Sequence, residues 1–217
     1  MQGIVKEVFT AILDGDLPSV EQNVRKALAA GLEPEFILKE GLVSAMTEIG
    51  HRFEANEAFI PEMLVAARAM KGGLGVLRPL LLASNVEPAG KVVIGTIQGD
   101  LHDIGKDLVA MMLEGVGFEV DDLGVDVPPE KFLEAIEAKR PGIVAMSALL
   151  STTMINLPEV IKGIAEAGLR GKVRIMVGGA PLTQEYANEI GADGYAPDAS
   201  RAARLALDLL AQAGGAG

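Results

Sequence analysis

The chain has 217 residues and a formal net charge of −11 at pH 7. An acidic chain without clustered Lys and Arg is poorly suited to nucleic acid or to an anionic membrane surface, so we expect neither as a partner. The absence of Cys excludes disulfides, iron–sulfur clusters and thiolate zinc sites, and the lack of a signal-peptide pattern or a long apolar run favours a cytoplasmic location.

Residues 1–88 are predicted to form a four-helix bundle, because apolar residues recur there at helical spacing in four segments. Asp16 suits the N-cap of the second helix, with Pro18 in its first turn. Pro34 starts the third helix and Pro61 the fourth. The predicted helices are 3–13, 17–30, 33–49 and 61–82.

Residues 84–90 have the composition of a linker to a second domain, 89–217. Apolar strands alternate there with helices, which is typical of a parallel sheet covered on both faces. We therefore expect a flavodoxin-like (Rossmann-like) α/β domain with a doubly wound, five-stranded parallel sheet, whose strand order the pattern leaves open. Predicted strands are 92–97, 119–123, 143–147, 174–177 and 194–196; predicted helices are 105–116, 129–139, 156–167, 182–190 and 199–212.

The hexapeptide Asp100–Gly105 is the most informative local motif. It connects the first predicted strand to the following helix and presents His102 two residues after Asp100. An imidazole in such a turn suits a metal, and a carboxylate behind it would orient the ring. Because the chain has only two His and no Cys, most ligands of a transition metal would have to come from outside the protein.

Other chemically distinctive residues also follow predicted strands, where ligands bind in a doubly wound sheet. The hydroxyl-rich run Ser147–Thr153 follows the third strand. Gly178 and Gly179, which permit close backbone approach, follow the fourth, and Tyr195 lies at the fifth. We expect these residues to share one rim with His102.

Three of these elements together resemble the fingerprint of the cobalamin-binding domain family. They are Asp-x-His-x-x-Gly at 100–105, Ser-x-Leu at 147–149 and Gly-Gly at 178–179. One short pattern occurs by chance, but three at the correct strand ends make a specific signal. The helical half is similar to the family's cap domain, and the whole chain resembles the free-standing corrinoid proteins of methyltransferase systems, which use methylamines, methanol or methoxylated aromatics. Methionine synthase contains a similar module.

The resemblance implies cobalamin or a related cobamide, bound with its own lower base displaced and with His102 as the lower axial ligand of cobalt. Asp100 would accept the other imidazole N–H, and Thr153 would extend this relay in place of the family's frequent Ser. A slot for the displaced nucleotide tail is implied at Ser147, Leu149, Gly178 and Gly179. The remaining cofactor contacts implied in this domain are Asp103, Ile104, Gly105, Ser151 and Tyr195.

On the cap, Phe53 and Ile60 match the family's positions over the upper face of cobalt, and Met63 is a further candidate. The function implied is that of a non-catalytic subunit that carries a methyl group on cobalt. Its implied partners are a substrate-specific methyltransferase subunit, an acceptor methyltransferase and a reductive activation protein. The linker 84–90 would let the cap move aside during transfer.

Structural alternatives stay open for these residues. Asp100 and Asp103 suit the N-terminus of the next helix, and a helix cap is expected within Ser151–Thr153. Phe53, Ile60 and Met63 also suit an ordinary core, with the core favoured for Met63.

Alternative functions are a cobalamin-binding sensor, the cobalamin-binding subunit of an adenosylcobalamin mutase, and a phosphoacceptor receiver. A receiver requires an Asp at the end of the third strand, where this chain has Met146 and Ser147. The upper ligand of cobalt distinguishes the sensor and the mutase subunit from a carrier. The sensor and the mutase subunit use an adenosyl group, whereas a carrier holds a methyl group or no upper ligand.

Overall fold

The computed structural model describes residues 3–83 and 88–214. The chain divides into two compact units: a helical unit, Met1–Pro88 with Glu114–Gly117, and an α/β unit, Ala89–Leu113 with Phe118–Gly217. Most of the predicted linker, residues 84–87, lies outside the described residues.

Helices α1 to α5 and one π-helical turn form the helical unit. Asp16 caps α2 as predicted, since its Oδ1 accepts the main-chain N–H of Ser19 at 3.1 Å. The core contains fully buried apolar side chains such as Val8, Leu42 and Met46. The elements are α1 (Gly3–Leu13), α2 (Leu17–Ala29), α3 (Pro34–Ile37), the π-helical turn (Leu38–Val43), α4 (Ser44–Glu54) and α5 (Ile60–Ala83).

The third predicted helix differs from the structure in its middle and at its end. A π-helical turn interrupts it at Gly41, where an added Cβ would lie 3.2 Å from Cγ1 of Val8, so the glycine permits close packing against α1. The helix then continues to Glu54, which includes Phe53 in its last turn. Helix α5 begins at Ile60, one residue before Pro61.

The α/β unit contains a five-stranded, all-parallel sheet with the order β2-β1-β3-β4-β5. This confirms the predicted fold class and supplies the strand order that the pattern left open. Its strands are β1 (Lys91–Thr96), β2 (Glu119–Asp122), β3 (Ile143–Ser147), β4 (Arg174–Gly178) and β5 (Gly194–Ala196). The helices are α6 (Ile104–Gly115), α7 (Pro129–Lys139), α8 (Ser151–Met154), α9 (Leu157–Glu166), α10 (Gln184–Glu189) and α11 (Ala199–Gly214), with a 3-10 turn at Arg170–Lys172.

Four strands of the sheet end at the same level. Thr96 of β1 is paired with Ser147 of β3, Ser147 with Gly178 of β4, and Gly178 with Ala196 of β5. The chain leaves β1 toward β2 and leaves β3 toward β4, so the switch point of the sheet lies between β1 and β3. The segments after these two strands therefore flank one crevice.

The segment after β3 is more ordered than a loop. Ser151–Met154 forms the short helix α8, whose N-cap is Leu150, so none of the three hydroxyl residues at 151–153 is the cap. This corrects the expectation of a side-chain cap within that run. In the described ranges, 3–83 and 88–214, no helix is long and apolar enough to cross a membrane.

Candidate functional site

Asp100 joins the two sides of the crevice between β1 and β3. Its Oδ1 accepts hydrogen bonds from the main-chain N–H of His102 at 3.1 Å and from Nδ1 of the same residue at 2.6 Å. Its Oδ2 accepts from Oγ1 of Thr153 at 2.7 Å and from the main-chain N–H groups of Leu149 at 2.8 Å and Leu150 at 3.3 Å. The fold thus brings Asp100, His102 and Thr153 together, and Asp100 does not serve as a simple helix cap.

The carboxyl group of Asp100 is fully buried. Burial by itself raises its pKa, but hydrogen bonds from Thr153, from His102 and from the main-chain N–H of Leu149 outweigh that effect and hold the pKa well below its usual range. An ionised carboxylate only accepts hydrogen bonds, so Nδ1 of His102 must be the donor. In the neutral imidazole, Nε2 then carries the lone pair that a metal requires.

The imidazole is both oriented and accessible. The side chain of His102 is 50% exposed, whereas the carboxylate that holds it is 0% exposed. A ring that is anchored through Nδ1 from beneath and open to solvent presents Nε2 outward. This is the geometry of a metal ligand with an orienting carboxylate behind it.

A third segment, between β2 and α7, holds the turn that carries His102. Oδ1 of Asp126 accepts the main-chain N–H of Gly99 at 2.7 Å, and the N–H of Asp126 donates to the carbonyl oxygen of Asp100 at 3.0 Å. Asp126 has a φ of 54°, a left-handed conformation that Asp tolerates better than most residues. Sequence reasoning missed Asp126, because only the pairing of β1 with β2 brings it to this turn and no local motif marks it.

Large apolar side chains in the segments after β1 and β3 are exposed around this polar group. Sequence reasoning selected Ile104 and Leu149 and missed the other three. Their signal in the sequence was an apolar side chain in a loop, where the hydrophobic core does not require one. Exposed apolar clusters mark binding sites rather than ordinary surface. The exposed fractions are 70% for Leu101, 76% for Ile104, 41% for Leu149, 42% for Leu150 and 64% for Ile155.

The three predicted glycines differ in how closely other parts of the protein approach them. A Cβ on Gly179, whose φ is +133°, would lie 1.8 Å from the carbonyl oxygen of Ala148, and one on Gly178 would lie 3.1 Å from that of Ala196. These two glycines therefore permit close approach of backbone segments within the protein. A Cβ on Gly105 would meet no protein atom within 4 Å, so the packing of the chain itself does not require a glycine there.

Two predicted contacts are less accessible than the others. Tyr195 lies in the middle of β5 and packs against the hydrophobic cluster beneath the sheet, because a mid-strand side chain points to a face rather than over the strand end. Met63 of α5 is fully buried, as its helical spacing allowed. The burial of Met63 agrees with the core alternative, and the assignment of Tyr195 as a cofactor contact stays a prediction.

The other predicted contacts are more accessible. Asp103 and Ser151 are exposed at the starts of α6 and α8, and Ser147 is partly buried at the end of β3. In the helical unit, Ile60 is 45% exposed and Phe53 is partly buried. Phe59, which sequence reasoning did not select, is the most exposed of these at 65%.

The side chains available as metal ligands indicate which kind of metal-containing group the site fits. Within residues 3–83 and 88–214, no cluster of three or more His, Asp or Glu side chains is arranged to hold a metal ion. The site offers one imidazole nitrogen, an exposed apolar surround and open space at Gly105. Such a set fits a metal that arrives with its equatorial ligands in an organic macrocycle, which is what a corrinoid supplies.

Comparison with known families identifies the doubly wound α/β unit that carries this His-bearing turn as a B12-binding domain. The family model described as B12 binding domain matches residues 90–204, and a second model with the same description matches residues 4–78. The chain is 44% identical to trimethylamine corrinoid protein 1 of Methanosarcina mazei over 91% of this chain and 92% of the relative. It therefore belongs to the B12-binding family of corrinoid proteins, and its cofactor is a corrinoid.

Two further comparisons cover both units. Dimethylamine corrinoid protein 3 of Methanosarcina acetivorans is 41% identical over 97% of this chain and 98% of the relative. The crystal structure of the methanol:cobalamin methyltransferase complex of Methanosarcina barkeri matches with a TM-score of 0.85 and 28% identity, covering 97% of this chain and 80% of that chain. The likeness thus extends over the helical unit as well as the α/β unit.

Proposed function

We propose that this protein carries a methyl group on the cobalt of a bound cobamide, receiving it through one methyltransferase and delivering it through another. The observation that carries the proposal is the hydrogen-bonded chain of Thr153, Asp100 and His102, which leaves the imidazole Nε2 free at the switch point. The relatives named as methylamine corrinoid proteins support the same role.

When bound, the cobamide supplies a cobalt centre that accepts a methyl group from a donor and yields it to an acceptor. His102 would hold this centre from below through Nε2, with the lower base of the cobamide displaced. Asp100 keeps Nδ1 protonated and raises the basicity of the ring. Because Asp100 stays ionised, a proton taken up when the ligand is released would reside on the imidazole of His102, with Thr153 still donating to the carboxylate.

The segments beyond β3 and β4 would receive the displaced nucleotide tail. Ser147 and Ser151 contribute hydroxyl groups there, and Leu149 contributes apolar surface. Gly178 and Gly179 keep the two strand ends close and free of side chains. Ile104 and Gly105 would contact the macrocycle, which explains an exposed apolar side chain beside open space.

On the helical unit, we propose that Phe53 and Ile60 exclude water from the upper face of cobalt, and their exposure supports this role. Phe59 joins them in our proposal because it is the more exposed apolar side chain of the same connection. Excluding water protects a transferable methyl group from side reactions.

The proposed donor is a methylated amine, since two relatives above 40% identity carry names of that class. The proposed partners are a donor-specific methyltransferase subunit, supported by the similar chain in the methanol:cobalamin methyltransferase complex, an acceptor methyltransferase and a reductive activation protein. The low-valent cobalt that such transfer uses favours the reducing cytoplasm as the proposed location.

The test is reconstitution of the apoprotein with cobamide, followed by gel filtration and a visible spectrum. We expect the wild-type protein to retain cobamide and to take up methyl from trimethylamine or dimethylamine when a matching methyltransferase is added. The substitution His102→Ala removes the proposed ligand and should lower the affinity for cobamide by at least about tenfold.

The matched control is His51→Ala, which removes the chain's other imidazole from the exposed face of α4. Its affinity and spectrum should equal those of the wild type. An unchanged spectrum and affinity in His102→Ala would contradict the ligand assignment. Retention of adenosylcobalamin without methyl uptake would favour the sensor or the mutase subunit instead.

A further inference from the structure

Thr96 places a buried hydroxyl group directly against the residue that bears the imidazole. Its Oγ1 donates a hydrogen bond to the main-chain carbonyl oxygen of His102 at 2.8 Å. Thr96 is 0% exposed and is the last residue of β1. It belongs to none of the motifs singled out in the sequence.

The rest of β1 indicates that this hydroxyl group is not required for packing. The preceding residues Val92, Val93 and Ile94 are apolar and at most 2% exposed. A buried hydroxyl group lowers the stability of the folded protein unless it is hydrogen-bonded. Packing alone therefore does not account for a Thr at the end of this apolar strand, and its hydrogen bond needs a structural reason. The bond it makes is the one to His102.

The donor is also held rigidly. The main-chain N–H of Thr96 donates to the carbonyl oxygen of Gly124 at 2.9 Å, and its carbonyl oxygen accepts the N–H of Val127 at 3.0 Å. On its other side, Thr96 is paired in register with Ser147 of β3. Segments on both sides thus fix the strand end from which the hydroxyl group points.

His102 is therefore restrained on both sides of its Cα atom. Its N–H and its Nδ1 are bound to Asp100, and its carbonyl oxygen is bound to Thr96. Asp100 fixes the ring and the preceding peptide, while the hydroxyl group of Thr96 fixes the following peptide plane. Without that second restraint, the peptide between His102 and Asp103 loses its hydrogen bond to β1, and only Asp100 orients His102.

We propose that Thr96 is a positioning residue that presets the backbone of His102 for axial ligation of the cofactor metal. The inference rests on the proposed function, in which Nε2 of His102 is the ligand. A hydrogen bond of this kind changes an equilibrium by about threefold to tenfold. Loss of the Thr96 hydroxyl group should weaken binding of His102 to divalent cobalt by that factor.

The experiment compares reconstituted wild-type protein with Thr96→Val, which removes the hydroxyl group at nearly constant volume, and Thr96→Ser, which keeps it. The readout is the midpoint potential of the cobalt(II)/cobalt(I) couple. Because cobalt(I) disfavours axial ligands, weaker ligation of cobalt(II) raises this potential. The predicted rise in Thr96→Val is about 30 to 60 mV, the one-electron equivalent of threefold to tenfold, and Thr96→Ser should match the wild type.

A second readout uses the apoprotein. Amide hydrogen exchange in residues 99–105 should be about threefold to tenfold faster in Thr96→Val than in the wild type and unchanged in Thr96→Ser. If Thr96→Val does not fold, Thr96→Ala is measured in its place. The control Thr47→Val removes a hydroxyl group that donates to the carbonyl oxygen of Val43 in the helical unit, and it should change neither readout.

The variant His102→Ala separates the two hypotheses. If it leaves the potential unchanged, His102 is not the ligand, and the proposed function and the role of Thr96 both fail. If His102→Ala raises the potential but Thr96→Val does not, only the role of Thr96 is overturned. An equal rise in Thr96→Ser and Thr96→Val also overturns it, because the hydroxyl group would then not be responsible.

Discussion

At the scale of single residues, Asp100 determines the chemistry of the candidate site. It is 0% exposed, yet it stays ionised because its two oxygens accept five hydrogen bonds. That ionisation fixes Nδ1 of His102 as a donor and leaves Nε2 as the atom that we propose binds the metal. The protonation state of the ligand thus follows from the surroundings of its neighbour.

A substitution at Gly105 tests whether the cofactor occupies the space beside His102. We expect Gly105→Ala to leave the free energy of unfolding of the apoprotein unchanged or to raise it by up to about 1 kcal/mol, because Ala is the better helix former and its Cβ would meet no protein atom. Affinity for cobamide should fall by about tenfold or more through overpacking. Chemical denaturation and cobamide titration measure the two effects.

The control Gly171→Ala makes the same substitution in open space within the 3-10 turn before β4, far from the carboxyl ends of the strands. It should change the free energy of unfolding of the apoprotein by less than about 1 kcal/mol. It should leave the affinity for cobamide unchanged. Equal affinities in Gly105→Ala and the wild type would mean that the cofactor does not approach this position.

At the scale of elements, the end of β2 and the start of α6 are joined by ion pairs of the buried Lys106 with two partly exposed acids. Nζ of Lys106 lies 2.6 Å from Oδ1 of Asp107 and 2.5 Å from Oδ2 of Asp122, and the Lys side chain is 2% exposed. Oδ1 of Asp122 also accepts the N–H of Gly124 at 2.8 Å. The helix that follows His102 is thereby attached to the neighbouring strand.

We expect Lys106→Met to lower the free energy of unfolding by about 2 kcal/mol, because hydrogen bonds to charged groups are lost while the two acids remain partly solvated. The matched control is Lys139→Met, whose amine lies 3.6 Å from Asp121 at the surface, with 57% of the Lys side chain exposed. Its effect should stay below about 1 kcal/mol. Urea denaturation at neutral pH measures both, and equal effects would contradict a special role of the buried pair.

The ion pair also has a defined pH dependence. Burial lowers the pKa of Lys106, but the bonds to Asp107 and Asp122 outweigh it and raise the pKa above its ordinary value of 10.5. A group whose pKa is higher in the folded state than in the unfolded state contributes its full stabilisation at pH values below the unfolded-state pKa. That contribution is lost as the pH rises through the folded-state pKa. The stability difference between wild type and Lys106→Met should therefore be constant from neutral pH to about pH 10 and shrink above it.

At the scale of the whole molecule, the two compact units carry different parts of the proposed site. The α/β unit holds His102, the proposed ligand, and the residues proposed for the nucleotide tail, and the helical unit holds Phe53, Phe59 and Ile60. Family models match both units, and the similar solved chain spans both. A single cofactor is therefore expected to stabilise both units.

Hydrogen exchange with and without cobamide tests this expectation. Amides that exchange through unfolding of the α/β unit should slow by about 100-fold when free cobamide is 100 times its Kd. Residues 53–60 of the helical unit should also become protected, since Phe53 and Ile60 are proposed to cover the cofactor. Protection restricted to the α/β unit would remove those residues from the site. The control is His102→Ala under the same conditions; because its affinity is expected to be lower by at least about tenfold, its protection should fall to about tenfold or less in both units.

Local features of this protein were determined by the sequence alone. Helical and strand periodicity predicted most elements of both units; it missed the π-helical turn, the short helix α8 and the 3-10 turn, and several helix ends differ. The pair Asp100 and His102 was predictable because only one residue separates them in the sequence. Family membership was predictable because its motifs are short runs at strand ends.

Only the tertiary structure decided the features that depend on strand pairing. The order β2-β1-β3-β4-β5 brings Asp126 to Gly99 and Thr153 to Asp100. Packing within each unit decided that Met63 is fully buried and that Tyr195 is partly buried against the hydrophobic cluster. The position of Thr96 beneath His102 was likewise not visible in the chain, because a hydroxyl group in an apolar strand acquires its partner only when the turn folds back over the strand end.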